Sequence, residues 1–343
     1  MTKFLITAAT LPILASIFAL PASADQRPEL VIEDFVGTIT LKTAANSSLE
    51  VISLENNDDL TQEAEGDRLI INGGIAKPDS KKCKGYYGSW SWNERKSETF
   101  GGYEDLEDYP KLTITAPSDT VLVVRNSIPF IDSGELGGAD LEIQACGKVN
   151  MGDITGDIRV ELSGSGDVTA GDVENADLDL RGSGDVSIEN AKAVTANLDG
   201  SGDIVMGNMS SADLSLRGSG DVEFEDVSGA VNATLSGSGD IDGGDIGGGV
   251  EATLRGSGDI ELGDVSGPTR LKSHGSGDIV VDGGSTEMLY IDSSGSSTIN
   301  YGGTAQNADL RASGSADIYV ERVKGVADTR ESGSADIEID NRD

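Results

Sequence analysis

Apolar and polar residues alternate in short runs along this chain, and from residue 143 onward the runs return at a fixed interval. Leu162, Leu180, Leu198, Leu216, Leu235 and Leu254 form one column, with Val160, Leu178, Ala196, Leu214, Ala233 and Ala252 two residues ahead of them. Apolar residues two apart turn one face of a strand inward. A third column, Val168, Val186, Ile204, Val222, Ile241, Ile260 and Ile279, holds one β-branched residue per repeat. Just before it stands Gly-Ser-Gly-Asp, seven times: 164–167, 182–185, 200–203, 218–221, 237–240, 256–259 and 275–278. The Asp-to-Asp interval is 18 residues three times and then 19 three times. Degraded copies continue at 295–298, 314–317 and 333–336, and an imperfect earlier coil runs through Ile143, Cys146, Gly147, Val149 and Gly152-Asp153-Ile154. A helical repeat needs about 11–15 residues of 3.6-period pattern per unit, and glycines this dense forbid it. The pattern predicts an all-β chain folded as a single-stranded parallel β-helix, a solenoid of 18–19 residue coils stacked about 4.8 Å apart.

The polar columns carry the candidate chemistry. Asp167, Asp185, Asp203, Asp221, Asp240, Asp259 and Asp278 stand in register. Carboxylates about 4.8 Å apart repel by about 1 kcal/mol per neighbouring pair even at the dielectric of water. Two solutions stay open. One is hydrogen bonding, from the Ser hydroxyls or from backbone N–H groups left accessible by the glycines. The other is calcium, a hard cation that collects carboxylates, with these seven residues as its candidate ligands. No other cofactor is expected. A second column, Asp153, Asp172, Asn190, Asn208, Asp226, Asp245 and Asp264, suits a repeated corner whose side chains bond one coil away. Arg181, Asp199 and Arg217 alternate in sign as cross-coil ion pairs would, and His274, the only histidine, falls in the same column as a surface residue.

One window breaks the repeat. Residues 77–109 hold seven aromatic residues, both tryptophans among them, interleaved with Lys and Arg. Such an insert either covers the apolar end of the solenoid or presents a ligand surface, with Tyr86, Tyr87, Trp90 and Trp92 as the contact residues. Trp90 and Trp92 are expected at the N-terminal end of the rod, at least one packed over the first coil. The chain has two cysteines, Cys83 in this window and Cys146 in the first coil, and an exported chain is expected to bridge them.

Export is read from the first 24 residues: Lys3, an apolar stretch from Phe4 to Leu20, then Ala22-Ser23-Ala24. This is a secretory signal peptide cleaved after Ala24, which places the product in the periplasm or outside the cell. No later stretch is apolar enough to span a membrane. Cleavage removes one Lys and no acid, leaving 24 cations against 60 acids, a formal charge of −36. That balance disfavours nucleic acid and anionic membrane, and no nucleic-acid partner is expected.

The N-terminal part is strand-rich too, at 35–41, 49–54, 69–71, 112–117 and 121–124. The strand at 35–41, the Thr113-Ile114-Thr115-Ala116-Pro117 segment and the Gly-Ser-Gly-Asp coils resemble the head GIN domain family of auto-transporter adhesins. The resemblance covers residues 25–343 as one domain, with the insert at about 77–109. It implies an exported, right-handed parallel β-helix with no established catalytic residues. The function expected is that of a non-catalytic structural or adhesin-like protein of the bacterial cell envelope, with glycan or an envelope protein as partner. The alternative is a calcium-dependent β-helical enzyme or binding protein acting on acidic polysaccharide. That class needs a cleft that interrupts the coils, whereas the coils from 160 to 279 vary in length by one residue only.

Overall fold

The structure, a computed structural model, describes residues 27–56, 60–74, 99–100, 104–105 and 109–341. The described residues contain no helix, and they wind into a parallel β-solenoid of about 12 coils. A coil has three sides, most distinct in the middle of the solenoid and merged into 17-residue strands at Ile279–Gly295 and Thr298–Gly314. The first is a five-residue strand such as Ile158–Leu162, the second a short strand such as Asp167–Ala170, and the third a single bridging residue such as Val173.

Register follows the sequence repeat residue for residue. Ile143 pairs with Leu162, Leu162 with Leu180, and Leu180 with Leu198 on the first side. Val168, Val186, Ile204, Val222, Ile241, Ile260 and Ile279 pair in succession on the second, and all are buried. Their neighbours two positions on include Met206, Phe224 and Leu262, also buried. Size is matched between coils there. A methyl group on Gly243 would lie 2.2 Å from the Phe224 ring, so the large ring is fitted by a glycine above it.

The Gly-Ser-Gly-Asp corners have a steric cause. A methyl on Gly202 would come 2.0 Å from the carbonyl oxygen of Gly184, and one on Gly220 would come 1.9 Å from that of Gly202. Successive corners stack so closely that only a hydrogen fits. From Ser183 onward the backbone of each corner Ser donates to the first glycine one coil earlier, as from Ser183 to Gly164 at 2.8 Å.

The change from 18 to 19 residues is placed in one corner, between the third and first sides. In the 18-residue coils this corner is bridged by continuous strands, Val173–Leu180, Ala191–Leu198 and Met209–Leu216. In the 19-residue coils the strand is cut back to Val231–Leu235, Val250–Leu254 and Thr269–Ser273. Before Val250 and Thr269 the extra residue goes with a glycine turn, with Gly249 at φ +96° and Gly267 at φ +101°.

The N-terminal end departs from chain order. Glu29–Glu33 lies between Arg68–Asn72 and Val121–Ser133, parallel to both. Val36–Thr43 likewise lies between Lys111–Ala116 and Val121–Ser133. Two antiparallel strands finish this end: Thr61–Glu65 on Arg68–Asn72, and Glu50–Glu55 on Lys111–Ala116. The described course of the chain breaks off after Gly74 and, apart from 99–100 and 104–105, resumes at Tyr109. Tyr86, Tyr87, Trp90, Trp92 and Cys83, and with them the capping expectation for the insert, lie outside the described residues. So does the signal-peptide segment. No helix among the described residues is long and apolar enough to cross a membrane.

Candidate functional site

The aspartate column forms a hydrogen-bonded ladder. Asp203 donates its backbone N–H to Asp185 Oδ1 at 2.9 Å, Asp221 to Asp203 at 2.9 Å, Asp240 to Asp221 at 2.8 Å, and Asp259 to Asp240 at 2.7 Å. Asp278 continues it at 2.7 Å, and Thr298 ends it at 2.6 Å. The donor is thus the next coil's main chain rather than the Ser hydroxyl. Each carboxylate gains a charge-assisted bond that offsets the repulsion along the column. At Asp167, burial pushes the carboxyl above its usual range, partly opposed by the N–H of Asp185. The second column works in the same way: Asp245 donates to Asp226 and Asp264 to Asp245, both at 2.9 Å, while Asn190 Nδ2 reaches Asp172 at 2.7 Å. Of the alternating charges, Arg217 meets Asp199 at 3.7 Å, but Arg181 turns to Asp179 on its own coil at 2.5 Å. His274 Nδ1 lies 2.7 Å from Ser294 Oγ on the surface.

The surface feature that these columns do not account for lies where the coils lengthen. A groove of about 330 Å³ follows the opened corner, lined by Asn232, Gly249, Glu251, Pro268, Arg270, Met288 and Tyr290 among others. Met288 is 49% exposed, one of few large apolar side chains left in solvent. Beside it Tyr290 is held by its hydroxyl, which accepts from Arg311 Nη1 at 2.9 Å and donates to Asp292 at 3.3 Å. Arg311 is itself fixed by Asp309 at 2.7 Å. Two guanidinium groups lie over the Tyr290 ring, Arg270 at 4.5 Å from its centroid and Arg311 at 5.2 Å. Glu251 stands directly across from Arg270 in the ladder, yet its carboxylate is taken by Lys272 at 2.8 Å. That bond holds the Glu251 carboxyl below its usual range. The sequence reading missed this site. Its traces were the step from 18 to 19 residues, the Gly247-Gly248-Gly249 run and Pro268.

A larger, shallower hollow of about 800 Å³ on the second side is lined by Glu189, Glu223, Glu225, Phe224 and Asp242. Glu223, Asp242 and Glu261 are in direct register here. Burial, and then repulsion from Glu261, Asp240, Glu223 and Asp221, raises the Asp242 carboxyl above its usual value. A carboxyl raised on folding costs stability while ionised, and the cost fades as pH falls through its folded pKa. Asp242→Asn is therefore expected to raise Tm near pH 7, with the gain shrinking towards about pH 3 in thermal melts. An unchanged or lowered Tm near neutrality would count against the crowding.

Comparison with known families follows the same regions. The family model described as "Putative auto-transporter adhesin, head GIN domain" matches residues 37–243 and 250–343. The chain belongs to this head GIN domain family. The two matched stretches part at 244–249, the corner that carries Gly248 and Gly249 beside the groove. The family description is that of an adhesin and names no reaction. No curated protein and no solved structure matches the chain.

Proposed function

We propose that this head GIN domain protein is exported, with cleavage after Ala24, and serves in the cell envelope as a non-catalytic adhesin-like rod that binds glycan. The observation that carries the reading is the groove at Pro268, Met288 and Tyr290. It is an apolar strip with fixed polar neighbours on a surface whose two aspartate columns are spent on coil-to-coil bonds. The C–H faces of sugar rings pack against such a strip, while Asn232 and Arg270 offer hydrogen bonds to hydroxyls. The aromatic residues Tyr86, Tyr87, Trp90 and Trp92 are proposed as a second contact surface. Calcium at the aspartate column remains the alternative, and it would have to compete with backbone N–H groups already bound to Oδ1.

A glycan array on the mature protein tests this. Met288→Glu is expected to weaken binding about tenfold or more, because it sets a charge in the apolar strip. Replacing Tyr86, Tyr87, Trp90 and Trp92 together by Ala reads the second surface separately. Depolymerisation of an acidic polysaccharide that depends on calcium would replace the adhesin reading with the enzyme alternative.

A further inference from the structure

We infer that the groove selects glycans that carry carboxylates, with Arg270 as the residue that reads the charge. This rests on the glycan reading above and names the ligand class for the same site. Acids outnumber cations 60 to 25 in this chain, so a cation without an acid partner needs a reason. On the first-side strands, Arg125 pairs with Asp140, Arg159 with Asp177, Lys192 with Glu174, Lys272 with Glu251, Arg311 with Asp309 and Arg330 with Asp328. Among the described residues Arg270 has no carboxylate within salt-bridge distance, although Glu251 is its direct ladder neighbour.

The local arrangement keeps it so. Lys272 takes Glu251, and the Arg270 guanidinium lies instead over Tyr290 at 4.5 Å. Tyr290 cannot swing away, because Arg311 and Asp292 hold its hydroxyl. Arg270 is thus exposed, charged and restrained at the lip of a groove. A guanidinium stacked on a ring keeps its N–H edge free, and that edge fits a carboxylate with two parallel bonds. Restraint before binding lowers the ordering cost when the ligand arrives. Glu251, neutralised by Lys272, does not repel an incoming anion as a bare carboxylate would. The strongly acidic hollow on the second side is lined by none of these residues.

The test is calorimetric titration of the mature protein with three probes: oligogalacturonate, the same oligosaccharide after carboxyl reduction, and a short polyglutamate peptide. Oligogalacturonate is expected to bind about tenfold or more tightly than its reduced form, with the difference lost in Arg270→Gln and weakened by salt. Arg270→Gln should lower Tm by no more than about 2–3 degrees, since the side chain is exposed, has no salt bridge and loses only a solvent-facing stack on Tyr290. Tyr290→Phe, which keeps the ring and removes its tether, should give an intermediate loss, which a charge-only role for Arg270 would not. Equal binding of both saccharides, or no effect of Arg270→Gln, overturns the inference and leaves the glycan reading standing. Polyglutamate binding through Arg270, with neither saccharide bound, overturns the glycan reading and moves the carboxylate onto an acidic peptide. If none of the three probes binds, both fall.

Discussion

Gly202→Ala is expected to cost about 3 kcal/mol or more, the upper range for forcing a methyl into filled space. The added Cβ would sit 2.0 Å from the Gly184 carbonyl oxygen, and that atom is backbone, so no rotamer relieves the contact. Moving the corner outward is no cheaper. Ser201 N–H donates to Gly182 at 2.9 Å, Asp203 N–H to Asp185 Oδ1 at 2.9 Å, and Ser219 N–H to Gly200 at 2.9 Å. A shift that frees the methyl stretches all three. The reading is the urea midpoint followed by circular dichroism. Ser201→Ala serves as the control, because its exposed side chain is expected to matter by less than about 0.5 kcal/mol. A solenoid propagates stability between neighbouring coils, so the broken corner should also broaden the transition. If Gly202→Ala matches the Ser201→Ala control, the close stacking of corners is not what keeps glycine there.

The same contacts explain how far the sequence could be read. Glycine at both corner positions and Val or Ile just after Asp are demands made by the next coil, so they recur through the seven Gly-Ser-Gly-Asp coils and the repeat exposes them; the second glycine gives way to Ser297, Ala316 and Ala335 only in the last three copies. Register, core columns and coil length follow from that repetition: Val168 pairs with Val186 because both answer the same neighbour. Where no coil repeats its predecessor, the signal fails. The strands at 36–43, 50–55 and 111–116 are visible as strands, but nothing in their spacing says that Val36–Thr43 sits between Lys111–Ala116 and Val121–Ser133. That order is set by long-range pairing. Glu29–Glu33 and Thr61–Glu65 escaped notice because each is only five residues long, and the second is exposed throughout. The groove was illegible for a different reason. Arg270, Tyr290 and Arg311 are outward residues on three successive coils, where columns are free to vary. Only their stacking distance reveals a relation that no column consensus carries.

Reducing the protein after oxidative export, as proposed above, is expected to lower its stability by about 4 kcal/mol, the chain-entropy value for closing a loop of about 60 residues. The bridge proposed is Cys83 to Cys146. Cys146 is fully buried, and no cysteine among the described residues is free. Its surroundings fit an anchoring role. Val36, Ile128, Phe130 and Ala145 form with it a small apolar cluster separate from the main core, with Tyr109 packed at its edge. Phe130 and Ile131 are consecutive on one strand, so they point to opposite faces, and Ile131 belongs to the interior. The cluster therefore lies on the outer face of the sheet, with Tyr109 at its edge. A tether at Cys146 fastens the segment around Cys83 beside the N-terminal end without using any interior position. Cys83→Ala tests the bridge with less disturbance than Cys146→Ser, which sets a hydroxyl among apolar side chains. Cys83→Ala should unfold at the lower midpoint of the reduced protein, and adding reductant to it should change nothing further. Two free thiols found by mass spectrometry in the exported product would refute the bridge.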